Sequence, residues 1–233
     1  MTVANPAPSS PSPSMQPRAR RVRALVLGGA LACAVGTLAV PAGSAGAAPT
    51  ASVVVTARLD DPAAAAAAEA LALLDRWIAS GGSDEGAAYA AARNTLAATI
   101  AGRLALSPEA MASAWSAADL EHQRALLAAL SQLGVPYRRN TSKPGQGFDC
   151  SGLTTYAWSQ AGFALPRNSS AQIRSAEPRE QQTAQAGDLV QYPGHVMMWL
   201  GVDRAIVHSP QRGRTVEVDV LKRRSIRFGD PTE

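Results

Sequence analysis

Between residues 60 and 133 apolar positions recur every three or four residues; beyond Gly134 the period shortens to two, so the chain passes from helix to sheet. Asp61-Pro62 supplies a cap and a first-turn proline for a helix over Ala63 to Ala79, and Ser80-Gly81-Gly82 ends it. Leu71, Leu74 and Ile78, with Trp77 beside them, are its expected buried stripe. A second helix is expected from about Asp84 to Leu104, with Tyr89, Leu96, Ile100 and Leu104 facing inward. Ser107-Pro108-Glu109 opens a third. Ser116-Ala117-Ala118-Asp119 resembles a capping box for the last helix, which carries Leu120, Leu127, Leu130 and Leu133 to a stop at Gly134.

Downstream, Gly, Pro, Asn and basic residues predict a loop through Gln146-Gly147, then a short helix over Ser151 to Gln160 ended by Gly162. Four strands follow, Asp188 to Tyr192, His195 to Gly201, Arg204 to His208 and Arg214 to Val220. Val216, Val218 and Val220 alternate with polar neighbours, which predicts a sheet with one wet face. A helix followed by consecutive antiparallel strands makes the region α+β.

The first 48 residues have a different character. Arg18, Arg20, Arg21 and Arg23 precede an uncharged apolar run from Ala24 to Val40, and small residues from Pro41 to Ala48 follow. That order is the pattern of a secretory signal peptide, and the run is short of the roughly 20 residues a spanning helix needs. Cys33 would leave with it, and Met15 is an alternative start to Met1. The division expected is a signal peptide over 1–48, an alanine-rich helical accessory segment over 49–121 and an α+β domain over 122–233. The protein is expected to be secreted to the cell envelope.

Without the leader, 18 basic residues face 18 acidic ones, so the formal charge of +4 falls to zero and gives no ground for a nucleic-acid partner. Residues 49–133 carry a net −4 and residues 134–233 a net +4. That split raises the possibility that the helical segment docks on the rest of the chain.

One cysteine remains, Cys150, in Phe148-Asp149-Cys150-Ser151-Gly152 at the start of a predicted helix. Exported proteins usually pair their cysteines or lack them, so a lone thiol points to chemistry. A helix N-terminus favours the thiolate, because unpaired amide N–H groups and the helix dipole stabilise the anion. The amide of Cys150 is also a candidate oxyanion donor. His195 opens one predicted strand and His208 closes the next, where side chains can face a cleft. A thiol, a base and an orienting group suffice for a cysteine hydrolase. No His/Cys spacing has the form of a metal site. His122, between Glu121 and Gln123, is expected on a solvated helix face.

These residues resemble the NlpC/P60 cell-wall peptidases. The resemblance runs through Leu133-Gly134-Val135-Pro136-Tyr137, Phe148 to Leu153, Leu165 to Gln172, Ala186 to Val190, His195-Val196 and Ile206 to Pro210, in the family's order. It implies a compact papain-like α+β domain, with the cysteine helix packed on an antiparallel sheet bearing the histidines. It also implies Cys150 as nucleophile, His195 as general base, His208 as its orienting group and Tyr137 as oxyanion support. Asp149 and Ser151, with Arg167 and Ser169 nearby, match positions lining the substrate subsite. The implied reaction is hydrolysis of the D-glutamyl–diamino acid bond of peptidoglycan stem peptides, without metal or cofactor. Arg138-Arg139-Asn140 replaces the family's usual Gly-Gly, and Met197-Met198-Trp199 is bulkier than its usual Gly-Ile-Tyr. Two other readings fit the same residues: a non-catalytic wall-binding or partner-binding module, and a thiol amidase or acyltransferase on the same fold.

Overall fold

The computed structural model describes residues 61–82, 85–223 and 225–232. The expected leader, with Cys33 and both candidate start methionines, lies outside them. Four helices come first: α1 (Pro62–Ala79), α2 (Gly86–Leu104), α3 (Pro108–Ala117) and α4 (Leu120–Leu130). Asp61 caps α1 by accepting from the Ala63 amide, and Ser107 caps α3 through the Ala110 amide, so both Pro-marked starts behave as their sequences predict. The capping box does not form. Asp119 is the N-cap residue of α4 but its side chain makes no cap bond; its carboxylate instead accepts from Gln185 Nε2 at 2.8 Å.

The rest is a two-stranded ribbon, β1 (Ser142–Lys143) and β2 (Gly147–Phe148), then α5 (Cys150–Gln160), α6 (Ser169–Ser175) and six further strands. These are β3 (Glu177–Arg179), β4 (Leu189–Tyr192), β5 (His195–Trp199), β6 (Ala205–His208), β7 (Glu217–Val220) and β8 (Arg227–Asp230), in the order β3-β8-β4-β5-β6-β7, every pair antiparallel. The fold is α+β, as expected.

Burial differs from the one-dimensional pattern in three places. In α1 the buried face is led by Ala63, Ala67, Ala70 and Leu74, while Ile78 is exposed, as is Leu120 at the start of α4. Alanines let α1 approach its neighbours closely, and an end position with nothing above it stays wet. The sheet has no wholly wet face along its centre. Leu189, Val196, Met198 and Val207 join the main core, while their alternates Val190, Met197, Trp199 and Ile206 form a second cluster with Phe228. Helices cover one side, and the segments carrying Leu221 and Ile226 cover the other.

The boundary expected at 121/122 falls inside α4, and one hydrophobic cluster runs across it, from Ala67, Ile100 and Trp115 through Leu126 to Leu153 and Val207. The indole of Trp115 donates to the Leu200 carbonyl at 2.9 Å. Gly201 must be glycine there: its φ is +81°, and a Cβ would lie 2.7 Å from that of Ala114. Contact between the helical segment and the sheet is thus largely apolar, with polar ties from Asp119 to Gln185 and from His122 on α4 to Asp188 and Asp230. No described helix is long and apolar enough to cross a membrane.

Candidate active site

Asp149 sets the geometry around the cysteine. Its Oδ1 accepts from the Gly152 amide at 2.8 Å and so caps α5, leaving Cys150 as the first residue of the helix. Its Oδ2 accepts from the Asn140 amide at 2.6 Å and from Arg167 Nη2 at 2.8 Å. One carboxylate therefore ties the helix start to the loop before β1 and to the loop before α6. Gly152 permits the approach, since a Cβ there would lie 2.0 Å from the Thr141 carbonyl oxygen. Cys150 is half-buried and unpaired, at a helix start whose first amides lack intrahelical partners.

Arg167 also donates from Nη1 to Ser151 Oγ at 2.8 Å. Asp149, Ser151, Arg167 and Ser169, singled out in the sequence, thus gather around one open hollow of 360 Å³ together with Asn140 and Asn168. None of its lining residues comes from α1 to α3. Tyr137 pairs by its backbone with Phe148, just before the cysteine. Burial, together with the negative charge of Asp149, raises its hydroxyl above the usual tyrosine value, so it remains a donor at neutral pH.

The two histidines meet. His195 Nε2 lies 2.9 Å from His208 Nδ1, and both side chains are buried. Ser209, next to His208, donates to the Phe148 carbonyl at 2.8 Å, which brings this end of β6 to the segment leading into Cys150. The helix opened by Cys150 packs on the strand opened by His195. Burial lowers both imidazoles to about 4; at His208 the charge of His195 adds to this. Both are neutral at pH 7, the form a general base requires.

A stability consequence follows with a definite sign. Between pH 6.5 and about 4 the unfolded chain binds protons at these histidines that the folded chain refuses, so stability falls as the pH drops through that window. Urea midpoints measured from pH 7 to 4 are expected to fall less steeply in the His195→Gln/His208→Gln double variant. Equal slopes would contradict the assignment.

Glu217, which the sequence reading did not single out, and His122, which it placed on the surface, complete the picture. Glu217 pairs with His208 across β6 and β7, with Oε1 3.4 Å from His208 Nε2. His122 is not on a solvated face; it is fully buried, with Nε2 3.0 Å from Asp188 Oδ1 and 3.3 Å from Asp230 Oδ1. Burial opposes its charge, but the hydrogen bond to Asp188 and the surrounding carboxylates prevail and raise its pKa. Nothing next to His122 in sequence predicts this, because both carboxylates arrive from the sheet. The ligand-type atoms of His122, Asp188 and Asp230 lie within 4.8 Å of one another. Both carboxylates are already engaged, by the Gln185 amide and by Thr232 and Arg179, so the group is an ion network rather than a vacant cation site.

Residues 134–227 match the model of the NlpC/P60 family. A probable endopeptidase of Mycobacterium tuberculosis is 40% identical over 94 residues, which is 39% of this chain and 24% of that protein. The gamma-D-glutamyl-L-lysine dipeptidyl-peptidase of Bacillus cereus is 37% identical over 95 residues, 37% of this chain and 28% of the relative. The chain therefore spans about a quarter of the length of these relatives. Among solved structures, the P60 domain of the Mycobacterium avium subspecies paratuberculosis antigen MAP1204 is 27% identical. The match covers 48% of this chain and 96% of that one, with a TM-score of 0.43.

Proposed function

Residues 134–227 are an NlpC/P60 domain, and from that premise we propose that the protein is an exported cysteine endopeptidase of peptidoglycan, cleaving between D-glutamate and the diamino acid of stem peptides. The observation that carries this reading is the His195–His208 pair, 2.9 Å apart, at strand ends tied to the segment that delivers Cys150.

In the proposed cycle Cys150 gives its proton to His195 Nδ1, the nitrogen turned away from His208, and the thiolate attacks the scissile carbonyl carbon. The oxyanion is held by amide N–H groups at the start of α5 and by the Tyr137 hydroxyl. His195 then protonates the leaving amine, and water attacking the thioester releases the acyl product. The hollow of Asp149, Ser151, Arg167 and Ser169 receives the free amino end of the stem, with Asp149 supplying the opposite charge. Residues 1–48 direct export and are removed.

Digestion of purified peptidoglycan and of a stem tetrapeptide with a free amino end, with fragments identified by mass spectrometry, tests this reading. Products ending in L-alanyl-D-glutamate, lost after thiol alkylation, are expected. Thiol-dependent cleavage at another bond would refute the assigned specificity. Wall binding without fragment release would favour a binding module.

A further inference from the structure

His208 uses Nδ1 on His195, and its Nε2 is buried beside an acid. Among the described residues His208 Nε2 has no hydrogen-bond partner, and Glu217 Oε1 lies 3.4 Å from it across a register pair of β6 and β7. Two proton arrangements are open to a pair of neutral imidazoles joined by one hydrogen bond. In the first, His208 carries its proton on Nε2, its Nδ1 accepts from His195 Nε2–H, and His195 Nδ1 is left with a lone pair. In the second, His208 donates from Nδ1 to His195 Nε2, the His195 proton moves to Nδ1, and His195 cannot act as a base toward a thiol. A carboxylate facing His208 Nε2 favours the first.

We propose that Glu217 is a positioning residue, a fourth member of the Cys150–His195–His208 array, that sets the tautomer of both histidines and stabilises the imidazolium formed when the thiol ionises. The inference rests on the reading of Cys150 and His195 as nucleophile and base. No atom is transferred to Glu217. The thiol proton resides on the imidazole pair, and the carboxylate acts through its charge and as an acceptor.

The neighbourhood contains a competitor. Arg214, half-exposed, donates from Nε to Glu217 Oε2 at 3.1 Å, and its guanidinium also contacts Oε1. The charged groups around His208 and Glu217 are His195 on β5, Asp219 on β7 and Arg214 in the run-in to β7, with Asp61 and Arg103 lining the hollow on the other side of Glu217. Burial and the His195 charge depress His208, Asp219 works in the opposite direction, and Arg214 depresses it further. Arg214 therefore weakens the action of Glu217, which makes the inference testable by two variants of opposite sign.

The experiment is the pH dependence of iodoacetamide alkylation at Cys150, followed by mass spectrometry in the purified protein, with thermal melting as a check of folding. It requires no peptidoglycan. The wild-type thiol is expected to react faster at pH 6 than a free cysteine. Glu217→Gln is expected to raise the midpoint by about one unit, a roughly tenfold slower reaction at pH 6, with little change at pH 10. Glu217→Asp should recover part of the shift, and Arg214→Gln should lower the midpoint. An unchanged midpoint in folded Glu217→Gln overturns the proposal; should that variant melt, an unchanged or raised midpoint in Arg214→Gln overturns it instead. A wild-type rate at pH 6 no faster than that of a free cysteine would refute the thiol–imidazole reading itself, and the inference with it. Normal alkylation without cleavage of peptidoglycan would refute only the assigned substrate.

Discussion

Replacing Cys150 with alanine is expected to abolish fragment release from peptidoglycan, a loss of about 10⁴-fold or more, while the melting temperature stays near that of the parent. The asymmetry follows from position. Cys150 is half-buried at the first turn of α5, whose start is held by the Asp149 carboxylate, the Asn140 amide and the Arg167 guanidinium. The thiol is not among those ties, so its removal leaves the scaffold intact. A residual rate within about tenfold of the parent would mean that the bond is broken by a group other than this thiol. The same protein retains the hollow lined by Asp149, Ser151, Arg167 and Ser169, so it should still bind stem peptides. Calorimetric titration with a stem tetrapeptide would show this directly.

The second large effect concerns folding. His122→Ala is expected to cost about 3–5 kcal/mol, because it removes the buried imidazole that bridges the carboxylates of Asp188 and Asp230, both almost fully buried. The loss would appear as a lower urea midpoint with an unchanged slope. The pH dependence has a sign opposite to that of His195 and His208. His122 has a folded pKa raised above 6.5, so its contribution is complete below 6.5 and disappears as the pH rises through the folded value. The His122→Ala protein should therefore lack the alkaline part of the parent's stability loss. A destabilisation under about 1 kcal/mol at pH 6 would show that the two carboxylates are satisfied without the imidazole. The effect would extend beyond α4. This helix carries His122 to the entry of β4 and to β8, and the apolar cluster passes through the same helix into α5, behind the cysteine.

Local signals in the chain anticipated much of the architecture. Helix starts at Asp61-Pro62 and Ser107-Pro108 are decided by residues adjacent to the bonds they make, and the four strands from β4 to β7 emerge from alternation within each segment. Strands β3 and β8 were not legible. Each is short, β8 begins with Arg227 and ends with Asp230, and β8 inserts between β3 and β4 rather than beside its sequence neighbour. Helix α6, seven residues long, was equally hidden in a polar stretch, although Asn168 caps it.

Sequence by itself determined what depends on near neighbours. It established the change from helix to sheet, the thiol at a helix start, and the two histidines at strand ends with a motif order resembling the NlpC/P60 peptidases. Only the tertiary structure decided which acids face which histidines. Register placed Glu217 against His208, and the meeting of α4 with β4 and β8 turned His122 from an expected surface residue into a buried imidazole between two carboxylates. Electrostatic environments of this kind are sums over charges brought together by folding, so the residues on either side of a histidine in the chain do not contain them.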